Sequence, residues 1–145
     1  MAFLNDLETT LAAGGLTRAL ELTIRELHAE SGTIHRMEAD GVLHLKASSG
    51  IPESVLDIVR LVPVGKGMAG LAVERKEPVS ICNLQASTGG DARPGAKKTG
   101  MEGAIVVPMM AGDQAVGALG IANRTERTFT PEEIALLMDI GRRLA

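Results

Sequence analysis

The chain is almost without aromatic residues: it has two phenylalanines, no tyrosine and no tryptophan in 145 positions. Aromatic side chains are the usual platforms for nucleobases, haems and other flat conjugated ligands. Their scarcity argues against a site built on such stacking. Cysteine is reduced to one residue, Cys82. A single thiol excludes an intrachain disulfide and fits a reducing compartment, so the expected location is the cytoplasm. There is no basic excess, the net charge being −3, and nucleic acid is therefore not an expected partner. No apolar run reaches bilayer-spanning length and no signal-peptide pattern opens the chain, so no membrane partner is expected. Repeats and low-complexity segments are missing. So is any Ser-His-Asp order or carboxylate pair with a plausible shared pocket.

What is present is an ordinary globular balance, 45% apolar against 23% charged. The length suits one domain with a core of its own, residues 1–145. Residues 3–13 read as an amphipathic helix with Phe3, Leu4, Leu7 and Leu11 on one stripe, ended by Gly14-Gly15. A second helix is expected over 17–29, with Thr17 as N-cap and Leu20, Ile24 and Leu27 at helical spacing, closed by Ser31-Gly32. Residues 33–38 and 42–49 read as a hairpin around Ala39-Asp40-Gly41. Short helices follow over 52–60 and 68–75, an extended piece over 61–64, and a strand over 78–82. Residues 83–103 form a long polar loop, a kind of segment that is often functional. A second hairpin over 104–110 and 115–122 turns at Gly112-Asp113. The last helix opens on Thr130-Pro131-Glu132-Glu133, a capping box with proline at the first helical position. Its expected buried stripe is Ile134, Leu137, Met138 and Gly141. This order predicts an α+β fold with a mostly antiparallel sheet of five to six strands. The terminal helices should cover one face, and the short helices and long loop the other.

The ordered set Gly65-x-Gly67-x-x-Gly70-x-Ala72, Pro78-Val79-x-Ile81, Val106-Val107-Pro108 with Val116-Gly117-x-Leu119, and Asn123-Arg124 … Phe129-Thr130-x-Glu132-Glu133-x-x-x-Leu137 resembles the GAF domain family over residues 16–145. The resemblance implies a PAS-like central antiparallel sheet, a ligand pocket on one side and helices used for dimerisation on the other. It implies a sensory or regulatory role inside a larger signalling protein, with an output domain such as a kinase, a cyclase or a transcription regulator outside this chain. The expected partners are therefore an unknown small molecule and a second copy of the chain, with residues 1–15 and the apolar positions Leu4, Leu7, Leu11 and Leu144 as the dimer surface. No cofactor or metal is expected.

Two segments carry the ligand expectation. Gly65-Lys66-Gly67-Met68-Ala69-Gly70 spells G-x-G-x-x-G. It lacks the full βαβ unit and following acid of a dinucleotide fingerprint, and it is not a Walker A loop. One reading is a tight turn with close packing; the other is a helix start whose free N–H groups seat a small anion or a carbonyl. On the second hairpin, alternation puts Val116, Ala118, Gly120 and Ala122 on one nearly bare face. In a GAF arrangement that face is an apolar, roomy, uncharged pocket floor, with Met101, Met109 and Met110 as adaptable walls. The candidate ligand-binding residues are therefore Gly67, Met68, Ala69, Gly70, Met101, Val106, Ala118, Gly120 and Ala122.

The enzyme of this family, free methionine-(R)-sulfoxide reductase, uses several cysteines and acids on the late hairpin strand. This chain has Ala69 at the loop position, Gly120 and Ala122 where the acids are expected, and no partner thiol for Cys82, so the expectation is a non-enzymatic module. Asn123-Arg124, Phe129 and Glu133-Ile134 also partly match the family's cyclic-nucleotide signature. There Arg124 and Glu133 would replace its bridge, but a capping box with one surface ion pair is the plainer account. Arg93, Lys97 and Lys98 in the long loop read as solvated charges, or as a lid attracting an anion. His35 and His44 are expected diagonally on one face of the first hairpin, short of the ligand count of a metal site.

Overall fold

A computed structural model describes residues 2–81 and 102–145. Its elements are α1 (Ala2–Ala12), α2 (Leu16–Glu26), β1 (Ser31–Met37), β2 (Val42–Ser49), α3 (Glu53–Val59), β3 (Leu61–Pro63), α4 (Gly67–Arg75), β4 (Val79–Ile81), β5 (Gly103–Ala111), β6 (Gln114–Asn123) and α5 (Pro131–Leu144). The strands form one sheet in the order β3-β2-β1-β6-β5-β4 with every neighbour antiparallel. The expected α+β fold and six-stranded sheet are therefore found. Cys82, Met101 and the loop charges Arg93, Lys97 and Lys98 lie outside the described residues. Among those described, no helix is long and apolar enough to cross a membrane.

One face of the sheet carries the main core. Ile34, Ile105, Val107, Met109, Leu119 and Ile121 meet Leu7 of α1, Ala19 and Leu20 of α2, and Leu137, Ile140 and Leu144 of α5. The stripe of α5 includes Leu137 and Gly141 as expected, continued by Ile140 and Leu144, while Ile134 and Met138 are half-buried. Leu7 is 0% and Leu144 1% exposed, so neither belongs to a partner surface. α1 folds back over α2 and α5, and an Arg143–Glu8 ion pair ties α5 to it. Leu4 and Leu11 remain half-buried.

The helix ends show where local signals were incomplete. α2 has Gly15 as N-cap with no side-chain hydrogen bond, and Thr17 stands exposed. Its C-terminus is a Schellman motif: His28 takes φ 55°, its N–H donates to the Arg25 carbonyl (3.2 Å), and the Ala29 N–H donates to that of Ile24 (2.8 Å). A histidine at the position usually held by glycine hid this stop. Gly32 is not the helix breaker but part of β1, where a Cβ would lie 2.8 Å from the Gly120 carbonyl and 3.0 Å from Leu20. α2 crosses the strand at that point. The capping box of α5 is complete, with Glu133 N–H donating to Thr130 Oγ1 (3.1 Å) and Thr130 N–H to Glu133 Oε1 (2.9 Å).

Arg127 joins these parts. Its guanidinium donates to the Leu27 carbonyl (2.6 Å), the His28 carbonyl (3.3 Å), Asn123 Oδ1 (2.7 Å) and Glu133 Oε2 (2.5 Å), and it lies 4.5 Å from the Phe129 ring centroid. The carbonyls it caps are those left open at the end of α2. Glu133 therefore pairs with Arg127, not Arg124. Arg124 instead faces Glu30 at 3.6 Å on an exposed surface. The hydrogen bonds that cap Glu133, from the Thr130 backbone first and then from Arg127, hold its carboxyl below the usual range.

His35 plays a similar tying role at the other end of the sheet. It is 3% exposed, and its Nε2 donates to the Val59 carbonyl at the end of α3 (2.8 Å). Burial holds its imidazole below the ordinary 6.5, opposed only by that hydrogen bond. His44 is partnered instead by Asp40 (2.9 Å). A bulge between Ile34 and His35 sets Leu45 opposite His35 and His44 opposite Arg36. The two imidazoles thus lie on opposite faces, contrary to the expected hairpin register.

Two stability outcomes follow. Arg127→Ala should lower unfolding free energy by about 2 kcal/mol or more, since it strands several partly buried partners at once. Arg124→Ala should cost less than about 0.5 kcal/mol as an exposed pair; equal effects in urea unfolding would contradict this division. For His35, the unfolded chain takes up a proton below about pH 6.5 that the folded chain refuses, so stability falls as pH drops through that value. His35→Gln should flatten that part of the slope when urea midpoints are compared at about pH 7.5 and about pH 5.5.

Candidate functional site

The second face of the sheet is where the candidate ligand residues lie. β6 pairs with β1 and β5 in regular register from Gly117 onward, so Thr33, Gly120 and Val106 form one row across the sheet, and Ser31, Ala122 and Ala104 the next. A bulge at Met109/Met110 interrupts the alternation before this, and Val116 has no partner in the β5 register. Ala118, Gly120 and Ala122 do share a face as expected; Val116 precedes the regular stretch.

α4 lies across this face. Met68 and Ala72 pack with Val79, Ala104, Leu71, Ile81, Val106 and Ala122. Further along, Val73 packs with Leu43, Val62 and Ala118. Ala118 is only 1% exposed, so this end is closed by the protein's own side chains. The Gly120 end differs. A Cβ there would meet Val106 Cγ2 at 3.2 Å, Thr33 Oγ1 at 3.3 Å and the Ile105 carbonyl at 3.7 Å. These nearest atoms all belong to the sheet, so among the described residues close helix packing does not account for the glycine. Thr33, Val106 and Ala122 around it are half-buried.

The glycine-rich segment is explained by its backbone. Gly65 and Gly67 take φ 87° and 63°, values that an L side chain resists. Gly70 lies where a Cβ would collide with the Pro63 carbonyl. Its carbonyl accepts from Gly65 N–H (2.9 Å), and its N–H donates to the Lys66 carbonyl (3.1 Å). The glycines thus fold the first turn of α4 tightly onto the end of β3. Gly67, Met68 and Gly70 are buried and Ala69 is half-buried. Met68 faces the Gly120–Ala122 end and Ala69 the closed end. Met109 belongs to the main core on the opposite face, not to a pocket wall.

Among the described residues the strand positions of this face are uncharged. The positions that register places on it in β1, β6, β5 and β4 are Ser31, Thr33, His35, Met37, Ala118, Gly120, Ala122, Ala104, Val106, Pro108, Val79 and Ile81, and none carries a formal charge with His35 neutral. Among the described residues no group of three or more His, Cys, Asp or Glu is placed to hold a metal ion. The arrangement offers apolar surface and hydroxyls; the described face holds no paired acid and base. Sequence reasoning missed the hydroxyls of Ser31, Thr33 and Ser48, because only the β1–β6 and β1–β2 registers bring Thr33 beside Gly120, Ser31 beside Ala122 and Ser48 beside Thr33.

Comparison with known proteins agrees with this architecture. The GAF domain of an Acinetobacter phosphoenolpyruvate-protein phosphotransferase superposes with a TM-score of 0.82 at 16% identity, covering 99% of this chain and 88% of that one. The corresponding domain from Coxiella burnetii gives 0.81 at 20%, with the same coverage. Free methionine-R-sulfoxide reductase from Neisseria meningitidis gives 0.79 at 17%, covering 97% of this chain and 83% of that one. At such identities the likeness is one of fold. No curated protein sequence matches the chain. The GAF domain model matches residues 15–145, and with that span the chain belongs to the GAF domain family.

Proposed function

We propose that this GAF domain is a non-enzymatic sensor that holds a small molecule on the sheet face around Gly120, beneath α4. The observation that carries the reading is the side-chain-free strand position at Gly120, itself buried and bordered by half-buried Thr33, Val106 and Ala122. A bare strand position whose nearest described neighbours all belong to the sheet is a place for a guest. The non-enzymatic part is supported by the chain's single cysteine, which gives an intrachain thiol–disulfide cycle no second sulfur, and by the neutral small residues at 120 and 122.

Regulation would pass through the helices. Asn123 ends the strand that bears Gly120 and Ala122, and it donates to the His28 carbonyl (2.9 Å) and accepts from Arg127. A shift of β6 on binding would thus bear on α2 and α5, biasing a two-state arrangement of the helical layer. Half-buried Phe3, Leu4 and Leu11 on α1 and Leu136 and Met138 on α5 are the surface on which a second copy would dock. Two structural neighbours are GAF domains of phosphoenolpyruvate-protein phosphotransferases, in keeping with a regulatory module serving an output domain such as a kinase, cyclase or transcription regulator. The alternative, a dimerisation or interaction module without ligand, draws support from the closed Ala118 end of the face.

Thermal-shift screening against a broad panel of small anions, amino acids, nucleotides and short acyl compounds should give at least one saturable rise in Tm, because binding the folded state alone stabilises it. Ala122→Leu should abolish that rise while leaving the far-ultraviolet circular dichroism unchanged; a panel without any shift would favour the interaction module. Sedimentation should give twice the 15.2 kDa chain mass, and Leu4→Glu with Leu11→Glu should return it to the single-chain value.

A further inference from the structure

The face around Gly120 has a polar half and an apolar half, and the sheet order keeps them apart. Thr33 of β1 lies opposite Ser48 of β2 on one side and opposite Gly120 of β6 on the other, and Ser31 lies opposite Ala122. Beyond Gly120, β5 supplies Val106. Gly120 is therefore the seam: a Cβ there would be 3.3 Å from a hydroxyl and 3.2 Å from a methyl group.

Among the described residues none of the Ser31, Thr33 and Ser48 hydroxyls has a hydrogen-bond partner. Ser31 is itself only 2% exposed. Next to Thr33 on the same face of β1, His35 is 3% exposed and its Nδ1 has no partner. With Nε2 donating to Val59, that nitrogen is a lone-pair acceptor. The floor is thus lined on one side by unused hydrogen-bonding groups able both to donate and to accept, and on the other by hydrocarbon.

This combination selects by charge and by edge chemistry. A carboxylate finds no cation at the described face positions. An ammonium finds no anion at the described face positions and must give up its hydration without return. A hydrocarbon leaves the hydroxyls unpaired. An amide presents a carbonyl and an N–H side by side without net charge, and serine and threonine hydroxyls satisfy both. Resting on the ligand-sensing reading above, we propose that the ligand is a small uncharged molecule with an amide-type edge, set against the Thr33 and Ser48 hydroxyls with its apolar body over Gly120, Val106 and Ala122.

Benzamide, benzoate and benzylamine share a ring and differ in edge and charge, so they separate the possibilities. Titrated into the uniformly nitrogen-15-labelled chain, benzamide should shift the Thr33 and Gly120 amide resonances saturably, with a Kd at least about tenfold below those of the other two. Thr33→Val and, separately, Ser48→Ala should each weaken benzamide by about tenfold while a dispersed spectrum reports an intact fold. Equal binding of all three compounds, or benzamide binding indifferent to both substitutions, overturns the amide edge and leaves sensing standing on an apolar hollow. Tightest binding by benzoate overturns it in favour of an anion site. Failure of all three overturns it as well; if the metabolite panel still raises Tm, sensing survives, and if the panel is also silent, sensing fails with it.

Discussion

The pairing of β1 with β6 is the interaction on which the remainder of this molecule depends. It joins a hairpin from the first third of the chain to a hairpin from the last, through six residue pairs from Ser31↔Ala122 to Arg36↔Gly117. On one side of that seam Ile34, Leu119 and Ile121 become the centre of the main core. On the other, Thr33 meets Gly120. A slip of one residue would exchange the two faces, sending the main-core side chains to the Gly120 face and hydroxyls into the core. The burial of Ile34 and Leu119, both 0% exposed, is what makes such a slip costly.

The helices hold that seam at both ends. Arg127 gathers the open carbonyls of α2, the end of β6 and the capping glutamate of α5 into one junction. His35 fastens the last turn of α3 to β1. Both residues act at places where helical carbonyls have exhausted their internal partners, so a long side chain from elsewhere supplies the missing donor. The face that bears Gly120 lies between these two ties, and Asn123 at the end of β6 joins it to the end of α2.

Most elements were legible because their signals are local. The alternation in residues 42–49 and 115–122, the Gly112-Asp113 turn and the Thr130–Glu133 capping box each depend on a few neighbouring residues, and each is present. The end of α2 was misplaced because histidine at φ 55° carries no compositional mark. Gly32 was read as a breaker because its need, close passage of α2, comes from a distant helix. Leu7 and Leu144 were taken for partner surface because amphipathicity shows that a stripe is apolar, not what covers it. Of the candidate site, Gly120 and Ala122 were placed on one shared face by alternation alone. The closure of the Ala118 end by Leu43, Val62 and Val73 was not legible, since those residues arrive from β2, β3 and α4.

By itself, the sequence determined the fold class, the family and the bareness of one strand face, because period, turn chemistry and small residues act over a few positions. Tertiary structure decided which hydroxyls stand beside that bare strand, which arginine serves Glu133, and which apolar stripes are used up within the chain. Those outcomes depend on strand order and register between segments far apart in the chain, and no local pattern encodes the partner that a strand will find.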